Sequence, residues 1–81
     1  MGRFYFHLRQ DDELIRDEEG TDLPDISAAR HEAVLAAREL LAEAIKDGKS
    51  NIPIAFVIAD EAGRTVDTLP LAAVLPEPMK K

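Results

Sequence analysis

Cysteine and tryptophan are both missing from these 81 residues. Without cysteine there is no disulfide framework and no thiolate zinc site, so packing alone must hold the chain together. That suits a reducing compartment, and a cytoplasmic location is expected. Glycine occurs only four times, at scattered positions, which excludes a glycine-rich phosphate loop. The two serines, Ser27 and Ser50, are better explained by a helix cap and a turn than by a nucleophile elbow. No apolar run approaches the roughly 20 residues of a membrane span, and no signal-peptide hydrophobic segment is expected at the start. Bases are few: 10 Lys and Arg stand against 16 Asp and Glu, for a net charge of −6. This disfavours a nucleic-acid binder that neutralises phosphates, and equally an anionic membrane surface. It fits a soluble protein, or one with a basic protein partner. No catalytic motif, cofactor motif or metal motif is present, so neither an enzyme nor a cofactor is expected.

What is present is organised around one stretch, Asp25 to Gly48. Pro24 biases Leu23 away from helical backbone. Asp25 then offers a carboxylate to the free N–H groups of a first turn, with Ser27 the second choice. No proline or glycine follows until Gly48, and alanine and leucine dominate. At 100° per residue, Ile26, Ala29, Ala33, Val34, Ala36, Ala37, Leu40, Leu41, Ala44 and Ile45 share one side. Glu32, Arg38, Glu39, Glu43 and Lys46 lie opposite. Gly48 suits a left-handed C-terminal cap. About 22 residues make a helix roughly 33 Å long, marginal alone, so it needs a surface to lie on. Its alanine-rich stripe implies close approach to that surface. Leu35 points away from the stripe, Arg30 lies on its margin, and His31 falls on a solvated flank.

The flanking segments read as strands. In Arg3 to Arg9, Phe4, Phe6 and Leu8 alternate with Tyr5, His7 and Arg9. Gln10-Asp11-Asp12 is turn chemistry. Glu13 to Asp17 returns as a second strand, with either Leu14 or Ile15 facing in, and Glu18-Glu19-Gly20 turns again towards the helix. After it, Ile52 to Ala59 is a third strand, with Ile52, Ile54, Phe56 and Ile58 on one face and Pro53 near its start. Asp60 to Gly63 is a hairpin loop, and Arg64 to Leu69 a fourth strand. Leu71 to Leu75 forms one helical turn or a closing segment. The expectation is a single α+β domain over residues 1–75, with a flexible tail over 76–81. Its order is ββαββ: a four-stranded, mainly antiparallel sheet with the long helix packed on one face. The preferred strand order is 2-1-3-4, which puts the two most hydrophobic strands in the middle.

Several of these runs occur together in a recognisable way. They are Arg3-Phe4-Tyr5-Phe6-His7-Leu8-Arg9, Asp12-Glu13-Leu14-Ile15, and Asp17-Glu18-Glu19-Gly20-Thr21-Asp22-Leu23-Pro24-Asp25. With them come Ala28-Ala29-Arg30, the run from Ala37 to Ala44, and Ala59-Asp60-Glu61-Ala62-Gly63-Arg64. The chain resembles a family of short, uncharacterised proteins common in alphaproteobacteria, described as a domain of unknown function. The resemblance runs from Arg3 to about Val74. Its most specific part is the Phe-Tyr-Phe-His strand coupled to the Asp-Glu-Glu-Gly turn. It implies a bacterial protein and carries no activity.

Two groups of residues are candidate sites. The acids Asp11, Asp12, Asp17, Glu18 and Glu19 offer a surface to a basic partner. A calcium loop is excluded, because placing Gly20 sixth puts Ile15 first and Ile26 twelfth. The plain alternative is a solvated turn and an edge strand protected by charge. The second group is Tyr5, His7 and Arg9, with Ala55 and Val57 of the third strand, on the sheet face away from the helix. Tyrosine and arginine are enriched in interfaces, so a homodimer through this face is the leading expectation. A small-molecule or regulatory role, with Arg3, Arg9 and His7 holding an anionic metabolite, is the alternative.

Overall fold

In the computed structural model, residues 2–48 and 53–75 are described. The elements are β1 (Gly2–Gln10), β2 (Glu13–Ile15), β3 (Thr21–Leu23), α1 (Ile26–Asp47), β4 (Ala55–Ala59) and β5 (Thr65–Pro70), followed by a 3₁₀ turn (Leu71–Val74). The expected sequence of elements gains a strand, and the four-stranded sheet becomes five-stranded. The path β2-β1-β4-β5 is antiparallel throughout, with β3 also paired to β1. Apart from β3, this is the preferred order of the sequence reading.

The extra strand has a simple origin. β2 pairs Leu8 with Ile15, and β3 pairs Phe4 with Thr21, both antiparallel to β1. They are two halves of one return strand, interrupted where residues 16–20 stand opposite residues 5–7. A three-residue segment ending against Pro24 is too short to show an alternation, so β3 was not separable from the approach to the helix.

Helix α1 is capped as its sequence dictates. The Asp25 carboxylate accepts from the Ala28 N–H at 2.8 Å, and Gly48 takes φ 67° with its N–H on the Ala44 and Ile45 carbonyls. Ala29 and Ala33 lie over Phe4 and Ile58, while Ala37 and Leu41 lie over Phe56 and Leu71. The alanines let the helix sit close to the sheet, and fully burying a side chain such as Ile58 is worth about 1.5–3 kcal/mol. The ends of the stripe overhang: Ile26 is 42% and Ile45 62% exposed. Ile54, expected to face the core with Phe56, is exposed instead. It precedes β4, and its backbone bonds to Arg9 and Leu71 hold the entry to the strand. Leu71 is buried against the helix, so the closing segment is both a helical turn and a piece of the core. Ile52 and the tail at 76–81 lie outside the described residues.

Leu14 stands opposite Arg9 and Ile15 opposite Leu8, so Ile15 is the one on the helix side, and both are exposed. On the far edge, the register between β4 and β5 slips between Ile58 and Ala59, and Val66 turns into the core there. Arg30 pairs with Asp67 of β5 rather than standing free. The guanidinium lowers the Asp67 carboxyl below its usual range. Both partners are partly solvated, so Arg30→Gln is expected to cost no more than about 1 kcal/mol in a denaturant titration. Among the described residues, no helix is long and apolar enough to cross a membrane.

Candidate functional site

With α1 on one face, the other face of the sheet is left uncovered by any described element. Tyr5, His7 and Arg9 stand on it in a row, opposite Ala59, Val57 and Ala55 respectively. The β4 residues are short and their taller β1 neighbours shade them: Val57 is only 5% exposed. Ala55 and Val57 are therefore the floor of this face, and Tyr5, His7 and Arg9 are what a partner would meet. The Tyr5 and His7 rings lie nearly parallel, 14° apart, with centroids at 6.3 Å.

At the Tyr5 end the face deepens into an open cleft of about 340 Å³, lined by Tyr5, His7, Arg16, Glu18, Ala59 and Glu61, with Asp17, Asp60 and Gly63 at its walls. Two turns of the same make form the sides. In Asp17-Glu18-Glu19-Gly20, one Asp17 carboxylate oxygen accepts from the N–H groups of Glu19 and Gly20, both at 3.3 Å. In Asp60-Glu61-Ala62-Gly63, one Asp60 oxygen accepts from Ala62 at 3.0 Å and from Arg64 at 2.9 Å. Gly20 and Gly63 both have positive φ, 73° and 84°. Each turn thus spends its aspartate inward on its own backbone and presents the following glutamate, Glu18 or Glu61, to the cleft. Neither glutamate makes an ion pair among the described residues.

Asp17 does more than close its turn. Its second oxygen accepts from the Phe6 N–H at 3.1 Å, filling the gap in the ladder between β2 and β3. In return, the Asp17 N–H donates to His7 Nδ1 at 3.0 Å. An accepting Nδ1 places the imidazole proton on Nε2, so neutral His7 offers a donor on its other ring nitrogen. Burial pushes the Asp17 carboxyl up, but the N–H groups of Phe6, Gly20 and Glu19, and His7 beside it, outweigh this and leave it below the usual aspartate range. The Asp60 carboxyl is lowered as well, chiefly by the Arg64 N–H and guanidinium.

The candidate acids are thereby separated. Asp11 and Asp12 sit in the β1–β2 turn, Glu18 and Glu19 remain exposed, and Asp17 is turned into the fold. Asp22 is also spent, holding Arg3 Nε and Nη2 at 3.1 and 3.2 Å, while Arg3 Nη1 donates to the Glu19 carbonyl at 2.6 Å. A smaller recess of about 240 Å³ beside this pair is lined by Gly2, Arg3, Asp22 and Glu61. The three groups expected to hold an anion are not brought together: neither Arg3 nor Arg9 lines the cleft of His7, where Arg16 is the one Lys or Arg among the described residues. Among the described residues, no cluster of three or more His, Asp or Glu is arranged to hold a metal ion. His31 is exposed on the helix. The role of Asp17 escaped the sequence reading, although an aspartate three residues before a glycine is a signal for a side-chain-capped turn.

The most specific element of the resemblance noted above is accounted for by this geometry. The Phe-Tyr-Phe-His strand and the Asp-Glu-Glu-Gly turn are one hydrogen-bonded clasp. No curated protein and no solved structure matches the chain. A family model described as a domain of unknown function (DUF6894) matches residues 3–72, and the chain belongs to that family.

Proposed function

We propose that this member of the DUF6894 family is a non-catalytic protein–protein interaction module of the bacterial cytoplasm, and that it self-associates through the helix-free sheet face. The observation that carries this reading is the row Tyr5, His7 and Arg9, which shades a floor of Ala55, Val57 and Ala59 (each 5% exposed or less) on a sheet face that no other described element covers. A tyrosine and an arginine over a flat apolar floor have the composition of an interface core and its rim. Thr68 of β5 stands opposite Val57 and is exposed on the same face. Thr68→Glu therefore leaves the fold intact and places a charge where a partner would pack. Sedimentation velocity is expected to show association by the wild type and its loss in Thr68→Glu and in Tyr5→Glu, with circular dichroism unchanged. Equal association by all three would remove this face from consideration.

The second reading is a small ligand in the cleft, favoured by its volume and by the free donors of His7 and Tyr5. An anionic metabolite was the expected class. Glu18 and Glu61 at the rim work against an anion, and among the described residues Arg16 is the one Lys or Arg beside them. A thermal-shift screen tests it: a ligand at 100 times its Kd adds about 2.7 kcal/mol of stability.

A further inference from the structure

The charges left unpaired on the helix-free face are distributed at opposite ends of β1. Arg9 is exposed and makes no ion pair among the described residues. Glu18 and Glu61, equally unpaired among the described residues, flank the cleft at the Tyr5 end, with the exposed and likewise unpaired Arg16 beside them, so these three leave one net negative charge there. Four residues of extended chain separate Tyr5 from Arg9, about 13 Å. His7 lies midway.

A two-fold axis running across the strands at His7 has a definite consequence. It lays β1 of a second copy antiparallel over β1 of the first, with Arg9 of each copy above Tyr5 of the other. We propose that the partner of this face is a second copy of the chain, seated so that Arg9 of each protomer enters the cleft between Glu18 and Glu61 of its neighbour. The proposal rests on the self-association reading above and adds its register.

The chemistry suits the position. A guanidinium has five donors in a planar fork and pairs readily with two carboxylates at once. It also lies favourably over an aromatic face, and Tyr5 forms part of the cleft. The two Asp-Glu-x-Gly turns project their glutamates from opposite sides because their aspartates are already committed to backbone. Because the symmetry is two-fold, the contact is made twice. One sheet face of so small a domain offers a modest interface, so a weak dimer is expected.

The test uses the full chain with Arg9→Glu in one variant and Glu18→Lys with Glu61→Lys in another. All three side chains are exposed, so both variants should keep the wild-type circular dichroism. Each variant alone sets like charges against each other at both contacts and is expected to be monomeric by sedimentation velocity at concentrations where the wild type is dimeric. Mixed one to one, the same two variants restore opposite charges at both contacts. Native mass spectrometry, with one variant carrying a mass tag, is then expected to find the heterodimer. If the wild type dimerises and Arg9→Glu dimerises equally, the register is wrong, while Thr68→Glu still decides whether the face is right. If both variants are monomeric and their mixture stays monomeric, the Arg9 contact is overturned. A wild type monomeric throughout overturns both the register and self-association.

Discussion

Asp17→Ala is expected to lower the stability of the domain by about 2–3 kcal/mol, because one carboxylate accepts three backbone N–H groups and hydrogen bonds to a charged acceptor are the stronger kind. The cost is concentrated at Phe6. Its N–H lies in the gap between β2 and β3, where no strand is present to take over. In a domain of this size such a loss lowers Tm by roughly 10–20 °C. Asp17→Asn keeps one acceptor oxygen and should cost less. The two variants separate acceptor geometry from charge. The acid limb of stability should change too. The folded-state carboxyl lies below the ordinary aspartate value of 3.8, so between the two values the unfolded chain binds more protons. Its contribution is therefore complete above about pH 4 and is lost as pH falls through the folded value. Asp60 and Asp67 are lowered as well and titrate in the same region. Asp17→Ala should thus flatten the acid limb without abolishing it. Denaturant titrations at pH 7 and across pH 2–5 read both effects. A change under about 0.5 kcal/mol at pH 7 would show that solvent replaces the carboxylate.

Gly20→Ala is expected to cost about 2–4 kcal/mol, from a left-handed backbone and from a collision. Gly20 has φ 73°, and a Cβ there would meet Arg3 Cγ at 2.8 Å and Tyr5 Cε2 at 2.9 Å. Both neighbours are side chains of β1, and each would have to shift to admit the Cβ. Arg3 is held by Asp22 and the Glu19 carbonyl, and Tyr5 lies beside His7 in the uncovered face. Gly63 supplies the control, since its φ is 84° but nothing lies within 4 Å of its would-be Cβ. Gly63→Ala should cost only the backbone term, about 1–2 kcal/mol. The difference between the two variants isolates the contact of the turn with β1. Equal costs would mean that Arg3 and Tyr5 move aside freely. Because a Cβ at Gly20 would press on Tyr5, the variant also displaces one wall of the cleft.

Much of the fold follows from local chemistry. Helix α1 has its ends at the predicted residues because Asp25 and Gly48 satisfy backbone groups that nothing else satisfies, and its buried side is the predicted alanine stripe. The alternation in β1 sorted Phe4, Phe6 and Leu8 from Tyr5, His7 and Arg9 correctly, since a strand has a period of two wherever one face is buried. Short segments resisted the same reading. Glu13–Ile15 and Thr21–Leu23 carry too few residues to show any period, so their division into two strands depends on their registers with β1. Ile54 fits the alternation of β4 and still lies outside it, because the strand begins one residue later.

The candidate site was legible only in part. Tyr5, His7 and Arg9 could be placed on one face from their spacing, and β4 beside them from its hydrophobicity. That Asp17 faces inward while Glu18 faces outward has no signature in composition. The seven acids from Asp11 to Asp22 look alike as charges, and only their partners distinguish them, whereas Asp25 is marked by its place at the start of the helix.

The sequence by itself therefore determined the helix, its caps, its buried stripe and the two central strands, because those depend on residues near one another along the chain. The tertiary structure alone decided that Asp17 also bridges to β1, and which glutamates were left facing the cleft. That choice depends on hydrogen bonds between residues 10 or more positions apart, such as Phe6 with Asp17 and His7 with Asp17, and on the packing of Gly20 against Tyr5.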